Sequence, residues 1–144
     1  MKLKTGLSSL LIFVAMACNQ EAEQVASLEK EVLAIHDEVM PQMTDIMKLK
    51  RQLSTKINEL DSLQQEGVSS TTFAEQRLKA LDLSRNLILA DSLMMQWMYT
   101  YRGDSAKALP AKDALGYFQS EKEKISEVKL KTDQSVQAAK EFLK

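Results

Sequence analysis

Residues 21–66 read EAEQVASLEKEVLAIHDEVMPQMTDIMKLKRQLSTKINELDSLQQE, and this stretch decides the fold. It holds one proline and no glycine. Val25, Val32, Val39, Ile46, Leu53 and Leu60 recur at seven-residue intervals. Leu28, Ile35, Leu49 and Leu63 supply the companion position, with Met43 and Ile57 displaced by one residue. An apolar repeat of this period, sustained over six heptads, predicts a long helix packed as in a coiled coil. Pro41 interrupts it. Proline has no amide to bond the carbonyl of Asp37, and its ring crowds that carbonyl, so a kink or break is expected over Val39 to Pro41. Gly67 supplies the stop, because glycine tolerates the left-handed cap conformation.

The same grammar continues downstream. Thr72 and Glu75 match a capping box, which starts a second helix running to about Tyr101. Phe73, Ala80, Leu87, Met94 and Tyr101 form one stripe on it, with Leu83, Ala90 and Trp97 as partners. Leu81, Ile88 and Met95 form another stripe alongside, so this helix is expected to sit centrally with two neighbours. Arg102 to Pro110 reads as a loop. Within it Arg102-Gly103-Asp104 spells an adhesion tripeptide, which a helix-ending turn explains as well. The third helix covers about Ala111 to Phe142, on Leu115, Phe118, Ile125, Val128, Val136, Ala139 and Phe142. Gly116 inside it costs about 1 kcal/mol against alanine.

Short connections make successive helices antiparallel. Tight turns at both connections would set Pro41 level with Trp97, Trp97 level with Gly116, and Leu63 near Glu75. The fold class expected is therefore all-α: an antiparallel three-helix bundle, coiled-coil-like, about 40–45 Å long at 1.5 Å per residue. The bundle would take residues 41–144. Residues 18–40 would form an anchor and helical stalk kinked at Pro41. In this register residues 21–38 have no partner, although Val25, Leu28, Val32 and Ile35 give them an apolar stripe. They must pack on the 102–110 loop, or pair with another copy or another protein.

The amino-terminal end says where such a protein works. Lys2 and Lys4 precede an almost wholly apolar run from Leu7 to Ala17, and Cys18, the only cysteine, follows it before Asn19-Gln20-Glu21. A basic start, a short apolar core and small residues at the cut describe an export signal. Ending on a lone cysteine, residues 1–17 resemble a bacterial lipoprotein signal. The resemblance implies cleavage before Cys18 and lipid on its thiol. Ala17 fits that pattern, whereas Ala15 and Met16 depart from its usual Leu and small residue. A membrane-spanning helix is the weaker reading, since spanning takes about 20 apolar residues and this run is far shorter. One acyl chain anchors only marginally, so stable attachment needs more than one.

The remaining 127 residues suffice for one domain with a core. Losing Lys2 and Lys4 takes the 19 basic residues to 17 against 20 acidic, a net charge of −3, and no nucleic-acid affinity follows. No cysteine is left for an internal disulfide, so packing alone must hold the fold.

Methionines concentrate at one end. Met40, Met43 and Met47 fall level with Met94, Met95 and Met98, close to Trp97, Tyr99, Tyr101, Tyr117 and Phe118, with His36 just above. Flexible Met-rich surfaces suit adaptable binding, which marks Met40, Met43, Met94, Trp97 and Met98 as candidate partner-binding residues. Thioethers and imidazole also suit copper, so His36, Met40 and Met43 are candidate soft-metal ligands in an alternative reading. Methionine as pliable core filler against aromatic rings is the plainer account.

Nothing here argues for catalysis. The one histidine, His36, neighbours Asp37 and Glu38, but no serine has a nucleophile-elbow context and no glycine-rich phosphate loop occurs. His36, Asp37, Glu38 and Met40 make no recognisable zinc motif, and no cofactor is expected. The stretch His36-Asp37-Glu38-Val39-Met40-Pro41-Gln42-Met43, with Trp97-Met98 later, resembles a group of small helical lipoproteins of Bacteroidetes. That group carries no activity over to this chain. The expectation is a lipid-anchored envelope protein, held to a membrane through Cys18, whose bundle binds or scaffolds another envelope protein or a second copy of itself.

Overall fold

The structure, a computed structural model, describes residues 8–68 and 70–144, with side chains from residue 20 onward except at position 69. The signal segment 1–17 and the Cys18 side chain therefore lie outside the described side chains. Four helices follow one another: α1 (Ser8–Gln65), α2 (Thr71–Thr100), the short α3 (Gly103–Lys107) and α4 (Ala111–Phe142). No strand occurs among the described residues. The three long helices each pack against the other two, α2 antiparallel to both and α4 parallel to α1. The chain is an all-α bundle, and no described helix is long and apolar enough to cross a membrane.

The heptad repeat of α1 is its buried edge. Val32, Val39, Ile46 and Leu53 are wholly buried, and Val25 and Leu60 nearly so. The break expected at Pro41 is absent, and α1 continues through it to Gln65. Pro41 and Asp37 are both exposed, so the carbonyl that loses its amide partner faces water, while Val39 and Ile46 on either side are locked in the core. The helix ends as expected. Gly67 adopts φ +80°, the Val68 amide bonds the Leu63 carbonyl at 3.0 Å, and the Gly67 amide bonds Gln64 at 3.3 Å. These two bonds form a Schellman cap.

The start of α2 differs from expectation. Ser70, not Thr72, is the N-cap, and its hydroxyl accepts the Thr72 amide at 3.2 Å. Phe73 stands where a capping box needs Glu or Gln, so the cap is one-sided.

The larger correction concerns register. The α1–α2 turn is tight, and Asp61 pairs with Arg77 much as the sequence places them. The α2–α4 connection is not tight, because α3 carries the chain beyond the end of α2 before it returns. Trp97 packs with Ile125 and Val128 instead of lying level with Gly116. The first turns of α4 thus rise past α2 and cover the amino-terminal part of α1. Val25 is buried against Ala106, Ala114 and Phe118, and Val32 joins Trp97 and Ile125. Residues 25–39 therefore pack into the bundle core, not as a free stalk; of the alternatives the sequence offered, packing on the 102–110 loop is met at Val25 and Ala106. Lys122 to Glu31, Gln42 to Asp133 at 2.7 Å and Lys140 to Asp45 at 2.6 Å fasten α4 along α1.

Candidate partner-binding site

Five aromatic rings form a ladder across the upper bundle. His36 lies 5.6 Å from Trp97, Trp97 stacks on Tyr101 at 4.9 Å, Tyr101 meets Tyr117 at 6.3 Å, and Tyr117 stands edge-on to Phe118 at 5.3 Å. The ladder joins α1, α2 and α4 and is a packing element. Two of its polar atoms are buried. The Trp97 Nε1, the Tyr101 hydroxyl and one oxygen of buried Glu121 have no hydrogen-bond partner. The Tyr117 hydroxyl accepts the Arg102 amide at 2.6 Å, tying the α2–α3 corner to α4. Burial, then the negative field of Glu29, pushes the Tyr101 hydroxyl up to about 12.

The corner absorbs the adhesion tripeptide. Arg102 donates to the carbonyls of Tyr99 at 2.7 Å and Tyr101 at 2.9 Å, capping the end of α2. Asp104 pairs with Lys107 across one turn of α3 at 3.0 Å. Lys107 also pairs with Glu29 at 2.9 Å, and these two carboxylates hold its ammonium above the usual lysine range, the Glu29 bond foremost.

The candidate binding residues divide between core and surface. Met94 is fully buried and Trp97 is only 5% exposed, so both belong to the interior. Met43 and Met98 are half-buried at its edge. Met40 is exposed, as are Met47 and Met95, both at 57%. The candidate metal ligands differ in their surroundings. His36 contacts Trp97 through its ring and the Asp37 carboxylate through Nδ1 at 2.9 Å. Met40 faces solvent and Met43 turns toward the core clusters. Among the described residues no group of three or more His, Cys, Asp or Glu side chains is arranged to hold a metal.

What the structure brings together is a seam on the outer side of α1 and α2. Met40 and Met47 each follow a core residue, Val39 and Ile46. Ile88 and Met95 likewise follow Leu87 and Met94. Positions one and four residues after a core position lie on the same flank of a helix. Lys50 and Asp91, each four after a core residue, pair at 3.3 Å. This contact shows that these flanks of α1 and α2 face each other. Extending the Asp61–Arg77 level sets Met40 beside Met98 and Met43 beside Met95, and the Lys50–Asp91 level puts them up to three residues further along α2. Most of the second apolar stripe of α2, expected against a neighbour, is thus left at the surface: Ile88 is 49% exposed and Met95 57%, with Leu81 half-buried, and Tyr99 beside them is 78% exposed.

Met47, Met95, Ile88 and Tyr99 were placed by sequence in the methionine-rich end or the second stripe, but not among the candidate binding residues. The signal for them was the Leu81, Ile88, Met95 stripe itself, once no third neighbour was available to cover it. On the opposite flank of α2 lies an open groove of about 560 Å³ between Trp97 and Val128, rimmed by Lys124 and Lys131. Lys124 there is tied to Glu121 at 2.7 Å, which raises its pKa.

No protein-family model matches this chain, and neither a curated protein nor a solved structure matches it.

Proposed function

We propose that this chain is a lipid-anchored protein of the bacterial cell envelope whose helical bundle works by binding, through the methionine seam between α1 and α2. The observation that carries the binding half is the exposure of Met40, Met47, Met95 and Ile88 in one strip, backed by half-buried Met43 and Met98. A contiguous apolar strip on a folded surface costs solubility unless something covers it. Methionine, unbranched and polarizable, moulds to its partner. The anchoring half rests on the export-type segment before Cys18.

Two experiments test the halves separately. Cys18→Ala, or inhibition of lipoprotein signal peptidase, should leave an unprocessed precursor; unchanged processing refutes the anchor. A photoreactive residue at position 95 should cross-link to a protein in the envelope, while one at exposed Glu123 on α4 should not. Equal labelling from both positions refutes the seam as a binding surface.

A further inference from the structure

We infer that the partner seated on this seam is a second copy of the chain, lying antiparallel across a two-fold axis that passes beside Thr44. The inference rests on the preceding reading of the seam and names its occupant. It comes from the self-complementary order of side chains along α1. Asp37, Thr44 and Arg51 each stand five residues after a core position, Val32, Val39 and Ile46, and so share one outward line beside Met40 and Met47. Asp37 and Arg51 are equally distant from Thr44, and Met40 and Met47 are centred within half a residue of it.

An isologous contact must place residue i against j and j against i. A two-fold axis across the helices at Thr44 does this. Arg51 then faces Asp37 of the second copy, and Met47 faces Met40 of the second copy, each twice. The line from Asp37 to Arg51 spans about 21 Å. The charges are available for it. Arg51 makes no ion pair among the described residues, and the Asp37 side chain is 78% exposed while holding His36 through one oxygen.

The second helix obeys the same centre. On α2, Ile88 and Tyr99 lie on either side of the point level with Thr44, so each copy's Ile88 meets the other's Tyr99. Thr44 lies on the axis and Ser92 within two residues of it; both are small and exposed, which lets the two surfaces close together. A parallel arrangement would instead set Arg51 against Arg51 and Asp37 against Asp37, which like charge disfavours. Like any two-body association, the dimer depends on concentration. Tethering on a bilayer would raise its local concentration.

The test uses the full chain in mild detergent, followed by sedimentation velocity. Wild type should dimerise. Met47→Glu should weaken the dimer at least about tenfold, and Asp37→Arg should do the same by setting Arg against Arg51. Adding Arg51→Asp to Asp37→Arg should restore affinity to near wild type. All these positions are exposed, and unchanged helical circular dichroism verifies that each variant is folded. A photoreactive residue at position 47 should attach to the 37–44 segment of the other copy, which reports the antiparallel order directly. A monomer at every concentration, a dimer indifferent to all three substitutions, or failure of the double variant to recover would overturn the inference. A monomer that still cross-links another protein from position 95 refutes the second copy and spares the seam. Loss of every cross-link there refutes both.

Discussion

Gly103 and Gly116 have opposite consequences, and their surroundings show why. A Cβ at Gly103 would meet the Tyr101 hydroxyl oxygen at 2.5 Å and its ring carbon Cζ at 2.7 Å. Gly103→Ala should therefore destabilise by about 1–3 kcal/mol in urea denaturation, as overpacking does. A Cβ at Gly116 would meet nothing within 4 Å. Gly116→Ala should stabilise by about 0.5–1 kcal/mol by the same measurement, since it removes backbone freedom from the unfolded chain and meets no clash in the helix. Tyr101 adds a pH dependence. The fold favours its protonated form, with the value pushed up to about 12. Its contribution is complete below the unfolded value near 10 and is lost as pH rises from about 10 toward 12. The stability difference between wild type and Tyr101→Phe should be constant up to about pH 9 and should fall above pH 10. At this scale sequence alone located Gly67 and Gly116 correctly, because caps and helix interiors are local matters. It could not find the demand on Gly103, which comes from a ring folded back onto it.

At the scale of the elements, α1 is the instructive case. Its heptads identified the buried edge residue by residue, and of the kink or break expected at Pro41 the break does not occur. One missing amide bond is a local loss, whereas the two core side chains bracketing it, Val39 and Ile46, are fully buried. Pro41→Ala should accordingly stabilise by about 1–3 kcal/mol, read from the urea midpoint at unchanged slope. An unchanged midpoint would mean that the helix already relieves the proline by bending. The α2 start shows a smaller misjudgement of the same kind. Thr72 and Glu75 had the right spacing, but Ser70 had the right place relative to the Gly67 stop. Polar contacts along α1 and α4 contribute register more than energy, since exposed ion pairs are worth little. Asp133 illustrates this. Burial would raise its carboxyl, but hydrogen bonds from Lys129 and Gln42 outweigh that and hold it below the usual range.

For the whole molecule, the question is whether residues 25–39 are a stalk or part of one cooperative body. The structure answers with Phe118, fully buried and packed in the cluster that takes Val25, Ala106 and Ala114. Native-state hydrogen exchange should give the Val32 and Val39 amides protection comparable to Leu53. Exchange faster by two orders of magnitude or more over 25–39 would show a separately opening stalk. The same architecture explains the candidate surface. A bundle of three helices offers each helix two neighbours, so the second stripe of α2 has none left to meet. The methionines level with one another in the sequence split into a buried Met94 and an exposed seam around Met47 and Met95.

Sequence by itself determined the helical class, the extent of α2 and α4, the buried edges of α1 and α2 and most of that of α4, the Gly67 stop, and the clustering of methionines and aromatic rings toward one end. These follow from apolar periodicity and from caps, which involve residues at most a few positions apart. The buried Glu121, Thr132 and Ser135 of α4 were not legible in the sequence. Only the tertiary structure decided how far α4 slides along α2, whether Pro41 ends a helix, and which apolar stripe stays uncovered. Each of those depends on contacts between residues distant in the chain. The five residues of α3 moved the register that every inference about level side chains relied on.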